Sequence, residues 1–266
     1  MRFIKHKLRA EELVIYYTFG RVPCFTTDLL DEIRVSARSL LENDFRWQGT
    51  RIRRVVIRSI FPRFFCLGGD LDYFLELIRT SDRRRLADYA HLCLDCVEHY
   101  RQISQEVVTV AFLEGDCLGG GLESALAGQY VFAKKPSIRV GFPEARFGLF
   151  PGMGGHAICA EILGSEEEAE KEISAARIYA APEAQEVGFI DGVTSVVPDE
   201  LPFRSKPLFD RAYLDEKTER WVEQALELSS RNLDRMENLV RLQKSMKLRC
   251  LAYCKPLLSY RYVFGM

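Results

Sequence analysis

The sequence predicts an α/β fold, and three observations carry that reading. Short β-branched segments alternate with segments of helical apolar spacing. Glycine-rich turns punctuate strand ends and helix starts. The segment 107–113 is apolar and uncharged, as a strand buried on both faces is.

In chain order, residues 12–18 (Glu-Leu-Val-Ile-Tyr-Tyr-Thr) are β-branched and aromatic and read as a strand. Residues 26–43 follow with helical spacing, with Thr26 or Thr27 as N-cap. Residues 55–59 form a short buried strand that runs into a loop, 61–70, ending in Gly68-Gly69-Asp70. A long helix spans 81–105, with Leu86, Tyr89, Ala90, Cys93, Val97 and Tyr100 as its apolar stripe. After the central strand 107–113, Gly119, Gly120 and Gly121 open a helix of small residues to Ala127. Strands are predicted at 130–133 and 138–140, helices at 155–163 and 165–173, and a last core strand at 193–197. Beyond Pro198 the character changes. Pro202 and Pro207 mark a linker, and 215–247 reads as one long amphipathic helix. The chain is therefore read as a core, 1–204, and a C-terminal helical region, 205–266, that serves as a lid or an oligomerisation element. The stripe of that helix is compatible with packing on its own core, covering a site or meeting a neighbouring subunit.

Composition excludes several classes. The 266 residues can bury roughly 70–75% of their unfolded surface, so no disulfide framework is needed. A net charge of −1 argues against nucleic-acid binding. No apolar run reaches the roughly 18 residues of a membrane helix. The basic start, Met-Arg-Phe-Ile-Lys-His-Lys-Leu-Arg, has no apolar signal core, and a cytoplasmic location is expected. The eight cysteines read as reduced, buried thiols. His91, Cys93, Cys96 and His99 cluster on one helix, and Cys250 and Cys254 lie four apart. Both sets read as packing, so no metal site is assigned.

Chemistry concentrates between residues 115 and 155. Gly115-Asp-Cys-Leu-Gly-Gly-Gly-Leu-Glu123 is followed by Gly141-Phe-Pro-Glu144 and Gly148-Leu-Phe-Pro-Gly-Met-Gly-Gly155. Two carboxylates thus lie about 20 residues apart, each beside a glycine turn. Glycine lets backbone approach a ligand closely, and a helix start offers free N–H groups to a developing anion. Gly68-Gly69 supplies a second such turn. A carboxyl among apolar neighbours has its neutral form favoured, which moves it toward acid–base work. Taken singly, Glu123 could simply complement its own helix dipole, and Glu144 could pair with Arg146. Together with the glycine turns they point to an enzyme that handles a carbonyl through an oxyanion. A Ser-His-Asp hydrolase and a dinucleotide fold lack their signatures. Arg51, Arg53, Arg54, Arg58, Arg63 and Arg83–Arg85 read as a solvated face, or as receivers for the phosphates of a CoA or an acidic carrier protein.

From about residue 12 to 200, these motifs and Leu67-Gly-Gly-Asp70 resemble, in order and spacing, the crotonase (enoyl-CoA hydratase/isomerase) superfamily. The resemblance implies a spiral of ββα units, trimers or dimers of trimers, no cofactor, and a thioester substrate carried by CoA or acyl carrier protein. It implies Gly69 and Gly120 as oxyanion-hole N–H donors and Glu123 and Glu144 as the catalytic carboxylates. Phe147, Phe150 and Met153 are candidates for the acyl pocket. Within the superfamily the chain looks most similar to the diffusible signal factor synthases. These dehydrate a 3-hydroxyacyl carrier protein to a cis-2-enoyl chain and release the fatty acid. It departs from them in its short N-terminus and in Gly148, where a polar residue is usual. An enoyl-CoA hydratase and a non-catalytic thioester-binding subunit are the alternatives.

Overall fold

A computed structural model describes residues 2–20 and 22–254, with side chains to residue 244. The chain opens with an antiparallel pair, β1 (Ile4–Arg9) and β2 (Glu12–Tyr17), in place of a strand preceded by a basic tail. Charged residues in β1 suit an edge strand, which is why composition alone hides it. Helix α1 (Thr27–Glu42) is capped by Thr26, as expected. A two-stranded hairpin, β3 (Arg46–Trp47) and β4 (Thr50–Arg51), follows.

The core is a repeat, each unit placing one strand in each of two sheets and then turning into a helix or a helical turn. The first unit is β5 (Arg54–Ser59), β6 (Phe64–Cys66) and α2 (Leu71–Arg79), followed by the long α3 (Arg83–Ile103). The second is β7 (Val108–Leu113), β8 (Asp116–Leu118) and α4 (Gly120–Leu126). The third is β9 (Tyr130–Ala133), β10 (Arg139–Gly141) and a 3₁₀ turn, Glu144–Phe147. Then come α5 (Gly155–Leu163), α6 (Glu166–Ala175), β11 (Ile178–Ala180), α7 (Ala181–Val187) and β12 (Gly192–Val193). First strands join the six-stranded sheet β1-β2-β5-β7-β9-β12, parallel apart from β1. Second strands join the four-stranded sheet β11-β10-β8-β6, in which β6, β8 and β10 run parallel. This is the expected spiral of ββα units.

Four expectations are corrected. The loop 61–70 contains β6, and α2 follows it from an Asp70 N-cap. The glycine triplet leaves the short β8 and not the central strand directly. The long helix 215–247 is two helices, α8 (Arg211–Leu226) and α9 (Ser230–Cys254), broken over 227–229. The strand expected at 193–197 shortens to β12, and 194–210 instead forms an irregular strap along the large sheet. Arg54 donates to the carbonyls of Pro198 and Asp199, and Tyr130 Oη donates to Pro202 O.

Helices α1 and α3 pack against the inner face of the large sheet, with Leu30, Leu40, Val55, Ile57 and Val97 in the core. Helix α4 closes on β6 at Gly121, where a Cβ would lie 2.5 Å from Cys66 O and 2.8 Å from Cys66 Cβ. Gly121→Ala should therefore overpack this contact and lower stability by about 1–3 kcal/mol, read by urea unfolding.

Candidate active site

The three second strands end side by side, and each delivers one part of the site. After β6 the chain turns at Gly68, whose φ of +88° suits glycine, and places Gly69 beside a cavity. After β8 it turns at Gly119 (φ +55°) and places Gly120 at the start of α4. After β10 comes the 3₁₀ turn bearing Glu144. The first two turns touch: a Cβ on Gly68 would stand 3.0 Å from Gly120 N. Among the described residues neither the Gly69 nor the Gly120 amide has a protein acceptor. Gly120 opens α4, so its N–H is one that no helix satisfies internally.

Glu123 lies on the first turns of α4 and is 1% exposed. Its Oε1 accepts the Met153 amide at 2.6 Å and the Gly155 amide at 2.7 Å. Gly155 begins α5, so the carboxylate complements the N-terminus of α5 as well as lying in α4. Burial nevertheless pushes its pKa up to about 8, against the two amides that stabilise the anion.

Glu144 does not pair with Arg146. The Arg146 guanidinium donates to Ala176 O through Nε (3.1 Å) and Nη2 (2.8 Å), capping the end of α6. Among the described residues Glu144 Oε2 is buried and has no hydrogen-bond partner, and its Oε1 lies over Gly119, where any side chain would collide with it. Burial, and then the charge of Glu123, raise Glu144 well above the usual carboxylate range. Glu123 receives two backbone donors and Glu144 Oε2 none, so of the two carboxyls Glu144 is held the more strongly in its protonated form.

Glu123, Glu144, Gly69, Gly120, Phe147, Phe150 and Met153 all line one cavity of about 830 Å³. Phe147 and Met153 are buried and Phe150 is half-buried. The walls add Phe64, Leu67, Leu71, Phe74 and Cys93, the last with its thiol pushed well up by burial. The two C-terminal helices form the roof, through Trp221 on α8 and Arg235, Asn238, Leu239 and Leu242 on α9. None of these was among the site residues read from the sequence. Helical periodicity marked Trp221 and Leu239 as apolar without saying what they face. The same helices strap the Glu144 turn. Gln224 donates to Gly148 O at 2.9 Å and Arg235 to Arg146 O at 3.1 Å. Gly148 has φ +81° and lies against Asn232 of α9, which explains glycine where a polar residue is usual.

None of the eight arginines flagged from the sequence lines the cavity, whose arginines are Arg139, Arg146 and Arg235. Most of the flagged ones pair with acids instead: Arg51 with Asp44, Arg53 with Glu11, Arg54 with Glu12, Arg58 with Glu114, Arg83 with Glu219 and Arg85 with Asp82. The His91–His99 cluster does not converge. His91 faces Asp215 of α8, whereas Cys96 Sγ lies 3.2 Å from Leu30 O of α1. Cys250 and Cys254 lie outside the residues whose side chains are described. Among the described residues, no helix is long and apolar enough to cross a membrane.

Solved structures share this architecture. A Streptomyces avermitilis protein described as a candidate enoyl-CoA hydratase aligns with a TM-score of 0.68 and 17% identity, over 91% of this chain and 90% of its own. Pseudomonas aeruginosa DspI aligns at 0.63 and 20% identity, over 99% and 95%. An enoyl-CoA hydratase from Bacillus halodurans aligns at 0.64 and 15% identity, over 93% and 94%. These likenesses define the class as the crotonase fold. The enoyl-CoA hydratase/isomerase family model matches residues 28–244, and the chain belongs to that family.

The buried pair makes a prediction about stability. The folded pKa of Glu123 lies above its ordinary 4.5, so the folded state holds the extra proton between 4.5 and about 8. The stability contributed by this group is full below 4.5 and is lost as pH rises through about 8. Glu144→Gln removes the second buried ionisation. Its melting temperature should exceed that of the wild type at alkaline pH by about 2–4 °C per kcal/mol gained, and the two should converge in acid, as read by calorimetry from pH 5 to 9.

Proposed function

We propose that the chain removes water from, or adds it to, the Cα–Cβ bond of an acyl thioester. The observation that carries this is the pair of buried glutamates, both with raised pKa, beside two unpaired backbone amides in an apolar cavity. Such a pair has one member that takes a proton and one that gives it. The amides of Gly69 and Gly120 receive the thioester oxygen, where negative charge develops. In dehydration of a 3-hydroxyacyl thioester, one glutamate takes the α-proton and an enolate forms on that oxygen. The other protonates the departing hydroxyl, and water leaves. In hydrolysis, a glutamate takes a proton from the attacking water and a tetrahedral oxyanion forms on the same oxygen. The C–S bond then breaks, and the thiolate leaves as a thiol.

Our reading is a dehydratase with thioesterase action that converts a 3-hydroxyacyl carrier protein to a free cis-2-unsaturated fatty acid. Motif resemblance to the signal synthases and the volume of the apolar cavity support it. Hydration of an enoyl-CoA is the second reading, and membership of the hydratase/isomerase family favours it. Exposed Val196, Phe203 and Leu208 on the strap support an oligomer, taken as a trimer from the resemblance.

Two incubations separate the readings, one with 3-hydroxydodecanoyl carrier protein and one with crotonyl-CoA, with products identified by mass spectrometry. Free cis-2-dodecenoic acid from the first is expected. Turnover of crotonyl-CoA alone would make the protein an enoyl-CoA hydratase. Glu123→Gln and Glu144→Gln should each lower kcat by about 10²–10⁴-fold, and normal activity in either would remove that residue from the site.

A further inference from the structure

A second, interior cavity of about 40 Å³ lies under the first, enclosed by α1, α3 and the large sheet. Its lining includes Ile15, Leu30, Ala37, Val97 and Ile103, all buried. Its serines are already engaged: Ser36 Oγ with His6 Nε2 at 2.7 Å, and Ser124 Oγ with Gly121 O at 2.9 Å. The rest of the lining is apolar apart from Tyr17, Tyr100 and Cys96; the Cys96 thiol bonds to Leu30 O, and the buried Tyr100 hydroxyl has no hydrogen-bond partner among the described residues. The cavity has room for about three water-sized groups.

Met153 lines both cavities. Its backbone is pinned, since the amide donates to Glu123 Oε1 at 2.6 Å. Its side chain lies against Gly120, where a Cβ would come within 2.6 Å of the sulfur, so the missing side chain of Gly120 leaves Met153 its place. An unbranched thioether with three side-chain torsions can swing while its backbone stays fixed. Rotating it aside would join the two spaces next to the glutamates without moving a catalytic group.

We propose that the interior cavity seats the distal carbons of the substrate's acyl chain, and that Met153 is the gate through which the chain enters. The proposal rests on the acyl-thioester reading. It gives the acyl chain a path between α1 and α3, separate from the roof of α8 and α9. The seat takes about three carbons past the gate, so short acyl chains fit it whole and longer ones, dodecanoyl included, need the packed core around it to give way.

The test uses straight-chain 3-hydroxyacyl pantetheine thioesters from butanoyl to hexadecanoyl. Turnover is measured for each, and binding of the matching saturated thioesters by calorimetry. Ala37→Leu adds three carbons inside the seat and fills space, so its melting temperature should not fall. Its ratio of kcat/KM for long over short chains should drop by at least about tenfold, with the same trend in affinity. Met153→Ala removes the gate and should raise that ratio. Leu239→Phe, in the roof, serves as the comparison. An unshifted chain-length profile in folded Ala37→Leu would overturn the seat, as would a profile moved by Leu239→Phe alone. If no thioester turns over yet Ala37→Leu shifts the chain length of tightest binding, the seat stands and the proposed chemistry falls.

Discussion

The site depends on the pairing of β6, β8 and β10. Cys66 lies opposite Cys117, and Cys117 opposite Val140, so the three strands end nearly level. The Gly119 amide bonds to Gly141 O at 2.9 Å, tying the second turn to the third strand. Gly69, Gly120 and Glu144 come from three successive repeats, and only this pairing brings them to one cavity. A slip of one residue in any strand would reverse which side chains face the cavity. The large sheet and its two helices fix the register from behind by burying the first strand of every repeat.

Against that scaffold, the two glutamates are a local cost. Each buries a carboxyl, which raises both, and the charge of Glu123 raises Glu144 further. Only Glu123 is compensated, by amides at the start of α5. The turn carrying Glu144 is held by its carbonyls instead, from Gln224 and Arg235 on the C-terminal helices. Among the described residues Glu144 Oε2 is left without a partner, while the backbone of its turn is tied down. On the proposed function such a group needs a fixed position and an unpaired polar atom, and the structure divides these between main chain and side chain.

Much of this was legible in the sequence. The glycine turns, both glutamates and Met153 stand out because their residue types are unusual for their positions. The alternation of strands and helices gave the class. What was missed has physical reasons. In β1, Lys5, His6 and Lys7 masked an edge strand. Helix α2 carried its signals, an Asp70 cap and the stripe of Leu71, Phe74, Leu75 and Ile78, but the glycine loop before it drew the reading. The break at 227–229 contains no glycine or proline, so apolar spacing ran through it. Phe25 pairing with Gly69, or Arg146 reaching Ala176, are long-range contacts that no local pattern encodes.

Cys93 has a consequence for durability. A 2-enoyl thioester is an electrophile at its β-carbon, and thiolates add to such carbons readily. An enzyme holding that compound next to a cysteine would inactivate itself by alkylation. Here the thiol lines the cavity but is buried and kept protonated, and a protonated thiol is a poor nucleophile. On the proposed function, the same apolar burial that raises the glutamates disarms the cysteine, so one environment would decide both which groups react with a bound enoyl thioester and which survive it.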